Sequence, residues 1–320
     1  MATSTAVTGA SKTRKALQTG DAVARLISLM FASLVLLIAI ILVYELWTSS
    51  AAARHAFGWG FLISKDWDPV NVKFGALPFI YGTVVTSLLA LLISIPLGLG
   101  AAIFLAELAP AGTSNALTFL VELLAAIPSV IYGMLAIFTL VPLMRDYGEP
   151  FLKATLGFLP LFKGPSFGVG FLTAGLILAI MVCPFIISVS RESLLAVPRE
   201  QREAALALGA TKWEATWDVV VPYARLGIYG SIFLGLARAL GETMAVTMVI
   251  GNDPAVHASL LAPGYSIAAV IANEFTEATG AVYLGALVEL GLVLFCLTIV
   301  INGAARLLII ATTSKGSKRT

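Results

Sequence analysis

The sequence predicts an all-α integral membrane protein with six membrane-spanning helices. Three observations support this fold class: 59% of the residues are hydrophobic, only 12% are charged, and the mean hydropathy is +0.95. A soluble domain usually has about a quarter of its residues charged. This chain has too few charged residues to cover a water-facing surface, and its net charge of +2 gives no reason to expect a nucleic-acid partner.

Six apolar segments are long enough to cross a bilayer, which takes about 20 residues. They lie at about 23–46, 79–106, 117–142, 169–190, 226–250 and 281–307. Pro128 falls in the third segment and Pro184 in the fourth, and a membrane helix tolerates proline when its neighbours satisfy the freed backbone groups. We therefore expect one membrane domain at 23–311, with disordered cytoplasmic tails at 1–22 and 312–320.

The distribution of Lys and Arg predicts that both termini are cytoplasmic, because cytoplasmic loops of membrane proteins are enriched in these residues. With this orientation 13 of the 20 lie inside, 6 lie outside, and Arg238 lies within the fifth segment. The inner residues are Lys12, Arg14, Lys15, Arg25, Arg191, Arg199, Arg202, Lys212, Arg225, Arg306, Lys315, Lys318 and Arg319. The outer residues are Arg54, Lys65, Lys73, Arg145, Lys153 and Lys163.

The long cytoplasmic loop at 191–225 has the features of a helix–turn–helix lying along the membrane surface. Pro198 suits the first position of a helix and Gly209 the position just past its end. The residues between them are strong helix formers, but they are too few to cross a bilayer. Thr211 and Glu214 match a capping box that begins a second helix, which Pro222 is expected to end.

Such a loop could be a simple solvated connection, but its spacing resembles the signature of the ABC-importer permease family. The matching residues are Glu203, Ala204, Ala205, Gly209, Val219, Val221 and Pro222, with Val at two positions where Ile and Leu are usual. In that family the short helix docks on an ATPase subunit and couples hydrolysis to opening of the pore. The resemblance therefore implies that Glu203, Ala204, Ala205 and Gly209 form the ATPase-coupling site.

The chain itself is not expected to be an enzyme. It contains no Gly-x4-Gly-Lys-Ser/Thr phosphate loop, so any ATP and Mg²⁺ must bind to a partner. Its two histidines, His55 and His257, lie in different exterior loops. The sequence therefore predicts no catalytic constellation, no metal site and no cofactor on this chain.

The fifth segment carries two charged residues, Arg238 and Glu242. Arg238 lies about ten residues from the inner end, about 15 Å deep, and Glu242 is expected one turn further on the same face. An arginine at that depth costs about 3 kcal/mol, so the pair must face protein or water. Either the two side chains neutralise each other and brace helices, or Arg238 binds a tetrahedral oxyanion through paired hydrogen bonds while Glu242 orients it.

Small residues in the fifth segment indicate close helix packing on both of its sides. They form two series at four-residue spacing: Gly227, Ser231 and Gly235, and Ala237, Gly241 and Ala245. Two further acidic residues are candidates for a functional role. Glu289 lies in the sixth segment, and Glu122 lies near the expected N-terminus of the third, where a carboxylate is favourable in any case.

Three stretches together resemble PstC-type permeases of bacterial phosphate ABC importers, in the binding-protein-dependent transport inner-membrane component family. They are residues 122–133, the loop signature and residues 238–252. The resemblance covers about 20–305 and implies a MetI-like bundle in the bacterial inner membrane, with Arg238 and Glu242 in the phosphate pathway. It also implies a heterodimer with a PstA-like permease, an ATPase dimer, and a periplasmic or extracellular phosphate-binding protein.

Two alternatives remain open from the residues alone. One arginine cannot distinguish tetrahedral anions, so sulfate, molybdate or phosphonate could replace phosphate. An ATP-independent secondary transporter or channel is the second alternative, although such folds usually show inverted repeats or broken helices around the site, and the sequence shows no matching halves.

Overall fold

The computed structural model describes the backbone of residues 4–316 and the side chains of 23–307 and Ile309. This part of the chain is helical throughout, apart from turns and two isolated bridges. Its helices are α1 Ser4–Ser49, α2 Ala51–Phe57, α3 Gly60–Ile63, α4 Leu77–Ile103, α5 Ala111–Ala126, α6 Ser129–Leu135, α7 Val141–Leu143, α8 Glu149–Leu156, α9 Phe171–Leu195, α10 Arg199–Ala207, α11 Lys212–Ala215, α12 Val221–Gly241, α13 Met244–Val249, α14 Ile267–Glu274 and α15 Ala281–Gly316. Short π-helical stretches connect several of them at Phe104–Leu108, Ala136–Leu140, Met144–Gly148 and Thr216–Val220, and a 3-10 turn lies at Pro160–Phe162.

Among the described residues, six helical stretches are long and apolar enough to cross a membrane, as the sequence predicts. They are Val23–Ser49, Leu77–Leu108, Ser129–Leu156, Phe171–Leu195, Lys212–Gly241 and Ala281–Leu307. The first, second, fourth and sixth match the predicted segments to within a few residues. Helices α1 and α15 extend beyond their spans, so residues 4–22 and 312–316 are helical where disordered tails were expected. Residues 1–3 and 317–320 of those tails lie outside the described residues.

The third predicted span, 117–142, is wrong. Helix α5 ends at Ala126, Ile127 and Pro128 are extended with ψ of 129° and 140°, and the spanning stretch begins only at Ser129. Pro128 cannot donate a backbone hydrogen bond and disfavours the helical conformation of the residue before it, so the chain breaks here. Pro184, by contrast, lies inside the continuous helix α9.

The fifth predicted span, 226–250, is wrong at both ends. The spanning stretch begins at Lys212 and runs through Pro222, which was expected to end a helix. Pro222 directly follows the π-helical stretch Thr216–Val220, and such local changes in hydrogen bonding let a membrane helix continue through a proline. At the other end α12 stops at Gly241, and Glu242 is extended with ψ of 128° before α13 begins at Met244.

The centre of the molecule is the contact of α9 with α4 and α12. On α12, the series of Gly227, Ser231 and Gly235 packs against α9 as predicted. A Cβ atom at Gly227 would lie 2.1 Å from the Ser193 Oγ atom, and Ser231 shares a 2.8 Å hydrogen bond with Ser190. Only very small side chains allow this approach of the two helices.

The second small-residue series is not packed within this chain over its full length. Ala245 is buried, but Ala237 and Gly241 are exposed, and so are the neighbouring Leu234 and Met244. The prediction of packing on both sides of the fifth span therefore holds for only one side within this chain. The other side leaves an apolar helix face uncovered.

Candidate functional site

Residues 191–225, which we call the coupling loop, form the two predicted helices. Helix α10 follows Pro198, which is its N-cap and not its first helical residue. Gly209 ends the turn with φ of +91°, a conformation that glycine adopts without strain. The capping box is present, because the Thr211 hydroxyl accepts the Glu214 N–H while the Glu214 carboxylate accepts the Thr211 N–H. The second helix continues into α12 and does not lie as a separate surface helix.

The four predicted coupling residues do not all reach the surface. Glu203, Ala204 and Gly209 are exposed, but Ala205 is only 9% exposed and faces the rest of the chain. Leu208, which the sequence reasoning missed, is 90% exposed at the tip of the loop. A large apolar side chain in a polar surface loop is a signal that could have identified it.

Arg202 fixes α10 to the membrane helices. Its guanidinium forms an ion pair with Glu107, with a 2.8 Å distance from Nη2 to Oε1 and a 3.1 Å distance from Nε to Oε2. It also donates to the backbone carbonyls of Leu194 and Val197. Since Glu107 lies at the end of the second span and Leu194 at the end of the fourth, α10 is tied to both. Sequence reasoning missed this ion pair because its two residues are 95 positions apart.

The break in the fifth span lies beside Arg238, in the last turn of α12. Its guanidinium carbon is 4.4 Å from the centre of the Phe185 ring on α9. Its Nε atom is buried, and no described residue accepts a hydrogen bond from this side chain. Buried donors are normally satisfied, and a guanidinium has five N–H donors. The site therefore presents a fixed positive charge whose hydrogen-bonding capacity is unused.

Glu242 does not neutralise Arg238 in this structure. Among the described side chains no ion pair joins the two, and Glu242 is not one helical turn further on the same face because the helix has already ended at Gly241. Its Oε1 atom accepts the Ala245 N–H at 3.4 Å, and the side chain is partly buried. Glu242 is therefore held by the chain after the break.

The helix break at Pro128 lies close to the helix break that follows Gly241. Helix α6 packs on α13 so closely that a Cβ atom at Gly133 would lie 2.5 Å from the Met248 sulfur. The Tyr132 hydroxyl donates to the carbonyl oxygen of Leu124 at 2.8 Å, which satisfies an acceptor at the end of α5. Non-helical backbone in a membrane region is tolerated only inside protein or beside water. Two adjacent breaks therefore mark a region that lipid does not reach.

The two other acidic candidates lie elsewhere. Glu122 is exposed near the C-terminus of α5, so its expected position at a helix N-terminus is wrong. Glu289 is buried on α15 and is not among the residues around Arg238. Phe185 and Tyr132 are the neighbours of Arg238 that sequence reasoning did not assign, since no local pattern relates them to it.

Comparison with known proteins places the chain in a family. Residues 94–309 match the model of the binding-protein-dependent transport system inner membrane component family. The chain is 52% identical over 262 residues to the phosphate transport system permease protein PstC of Xylella fastidiosa, and 49% identical over 266 residues to that of Mesorhizobium japonicum. These alignments cover 81% and 82% of this chain, and 81% of each relative.

Among solved structures, a chain of the inward-facing MetNI methionine ABC transporter is similar with a TM-score of 0.49 and 17% identity, over 71% of this chain and 93% of the other. The family assignment rests on the sequence matches, which span most of the membrane domain. This protein is a multi-pass membrane protein that belongs to the binding-protein-dependent transport system inner membrane component family.

Proposed function

We propose that this chain is the membrane-spanning permease subunit of an ATP-driven importer of inorganic phosphate. The observation that carries the proposal is the Arg238 guanidinium, which lies at a break in the fifth span with no hydrogen-bond acceptor among the described residues. The PstC relatives are phosphate transport permeases by name, and they are 52% and 49% identical to this chain over the aligned residues. The sequence-based alternatives of another oxyanion or an ATP-independent carrier have no comparable support.

In the proposed pathway, phosphate displaces water from Arg238 and accepts paired hydrogen bonds from its planar fork of donors. Phe185 holds the guanidinium from one side by a cation–π contact. Glu242 places a carboxylate nearby, which lowers the affinity of the site for an anion. Weaker binding favours release, and transport requires release as well as binding.

ATP and Mg²⁺ bind to a partner ATPase dimer in this proposal, and the coupling loop is the docking surface. Glu203, Ala204, Gly209 and Leu208 are the exposed contacts. Ala205 lies beneath these residues and packs against the rest of the chain. Movement of α10 reaches the second and fourth spans through Arg202, and movement of α11 reaches the fifth span directly because the helix is continuous.

The remaining partners follow from the same proposal. The uncovered face of α12 is apolar and is the contact for a PstA-like second permease. A phosphate-binding protein delivers the anion on the opposite side from the ATPase. Closure of the ATPase dimer opens the pathway to the outside, and ATP hydrolysis then opens it to the inside. In this proposal both termini and the coupling loop are cytoplasmic.

The pathway is tested by uptake of labelled phosphate into vesicles that contain the assembled importer. We expect Arg238→Gln to reduce uptake at least about tenfold, a loss of about 1.4 kcal/mol or more in transport, with assembly unchanged. Arg306→Gln, at an exposed arginine on α15 outside the coupling loop, is the control and should retain uptake. Equal uptake by both variants would remove Arg238 from the pathway, and inhibition by excess sulfate or molybdate would favour the broader oxyanion alternative.

The coupling loop is tested by measuring phosphate uptake per ATP hydrolysed. Glu203→Gln should lower this ratio, while Glu200→Gln, at an exposed glutamate three residues before the signature begins, should leave it unchanged. Uptake that persists without the ATPase subunit would instead support the ATP-independent carrier.

A further inference from the structure

A second site lies away from Arg238, in a cavity between the end of α1, the α2–α3 segment and α15. Its volume is about 550 Å³, which is within the usual range of ligand pockets. Most of the wall is apolar, with Trp47, Trp59, Cys296 and Val300 among its residues. Two charged residues, Arg54 and Glu289, also line it.

Glu289 has no hydrogen-bond partner among the described residues. The residue is only 6% exposed, and its Oε2 atom is completely buried. It lies eight residues after Ala281, about 12 Å along the sixth span. Buried carboxyl groups normally have at least one donor. A residue that lines the cavity therefore carries a carboxylate that the described residues leave without a donor.

Arg54 is held at the same cavity by other contacts and donates no hydrogen bond to Glu289. Its guanidinium lies 3.6 Å from the centre of the Trp47 ring, and it donates to the Ser50 hydroxyl at 3.1 Å and to the Trp47 carbonyl oxygen. The side chains of Arg54 and Glu289 line the same cavity but form no ion pair. The Nη1 group of Arg54 keeps its donors free of any described acceptor.

The cavity opens on the outside of this chain. Trp59 is 86% exposed and Val300 is 65% exposed, although both are large and apolar. Tryptophan is enriched where membrane proteins meet the bilayer interface, and an exposed apolar wall on a spanning helix is covered either by lipid or by another helix. An occupant of the cavity must therefore be apolar along this wall and carry both a donor and an acceptor at its polar end.

We propose that the cavity binds a phospholipid with a primary amine headgroup, such as phosphatidylethanolamine. The lipid phosphate accepts hydrogen bonds from Arg54, the ammonium donates to Glu289, and an acyl chain follows the apolar wall of α15. The charges of the two side chains are complementary to this zwitterion. The backbone N–H groups of a partner helix are already bonded internally, so such a helix would satisfy Glu289 only through a donor side chain at this depth, whereas the ammonium of the lipid is itself the donor.

The test is native mass spectrometry of the whole importer after exchange into defined lipids. We expect one phosphatidylethanolamine to remain per copy of this chain, with at least a tenfold preference over phosphatidylcholine, whose quaternary ammonium has no N–H donor. Glu289→Gln should abolish that preference. Glu45→Gln, at an exposed glutamate near the same end of α1, should keep it.

A second variant tests the cavity independently of the carboxylate. Cys296→Trp places a large ring in the cavity and should remove the retained lipid altogether, because Cys296 lines it. Equal retention of the two lipids by the unaltered protein would overturn the proposal, and so would an unchanged preference in Glu289→Gln. So would cross-linking of a partner subunit to Cys296 in the assembled importer, since a protein segment would then occupy the cavity.

Discussion

Two arginines in this protein have opposite surroundings. Arg202, on helix α10, donates to the Glu107 carboxylate and to two backbone carbonyl oxygens. Arg238, at the break in the fifth span, contacts the Phe185 ring and has no described hydrogen-bond acceptor. Both are permanently charged and both are partly buried. The two arginines therefore differ in the hydrogen-bond acceptors that the described part of the protein provides for each guanidinium.

That difference separates a structural charge from a functional one. A partly buried ion pair whose guanidinium donates through all three of its nitrogen atoms fixes the relative positions of the elements it joins, here α10 and the ends of two spans. A guanidinium with unused donors can bind an anion without first breaking a bond within the protein. A charge that is unpaired in the folded chain is the stronger indication of a transient ligand.

The largest expected effect is on stability at Arg202. Arg202→Gln leaves the Glu107 carboxylate without its partner and should lower the free energy of unfolding by about 3 kcal/mol, whereas Arg238→Gln removes no ion pair and should change it by less than about 1 kcal/mol. Thermal unfolding of the purified subunit measures both variants. Arg199→Gln, on the exposed side of the same helix, is the control and should be within about 0.5 kcal/mol of the unaltered protein.

A double variant distinguishes the ion pair from general damage to α10. If Arg202 and Glu107 act on each other, the combined Arg202→Gln and Glu107→Gln variant should lose less stability than the sum of the two single variants. Equal losses at Arg202 and Arg238, or simple additivity in this cycle, would contradict the distinction between the two arginines.

An intermediate effect is expected at Glu242. Glu242→Gln removes a negative charge near Arg238, so the affinity for phosphate should rise and the turnover should fall, each by about fivefold or on the order of 1 kcal/mol. Concentration-dependent uptake separates the two quantities as KM and kcat. Glu122→Gln, at an exposed carboxylate away from the break, should alter neither. A lower affinity in Glu242→Gln would mean that the carboxylate supports Arg238 and does not oppose the anion.

The smallest effect is expected at Phe185. Phe185→Leu keeps an apolar side chain but removes the ring that lies 4.4 Å from the guanidinium carbon. Cation–π contacts contribute about 0.5–1 kcal/mol at accessible sites, so KM for phosphate should change by about threefold with little effect on stability. The same uptake assay measures it. Phe138→Leu, at a ring of the third span that is 74% exposed, is the matched control. A loss of uptake as large as that of Arg238→Gln would indicate that Phe185 is needed to hold the fifth span in place.

The sequence predicted the parts of this protein that depend on local composition. Hydropathy over about 20 residues identifies a span wherever it packs, so the spans were found and four were placed correctly. Gly209 and the Thr211–Glu214 capping box were also predicted, because a turn and a cap involve residues within a few positions of each other.

Only the tertiary structure decided which prolines break a helix and which charges are paired. Pro184 remains inside α9 while Pro128 ends a helix, although the local rule for proline is the same for both. Arg202 pairs with Glu107, which is 95 residues away in the sequence, whereas Arg238 contacts the Phe185 ring and pairs with no described carboxylate. Such outcomes depend on how distant helices pack, since packing determines whether a freed backbone group or a buried charge has a partner. Local composition does not contain that information.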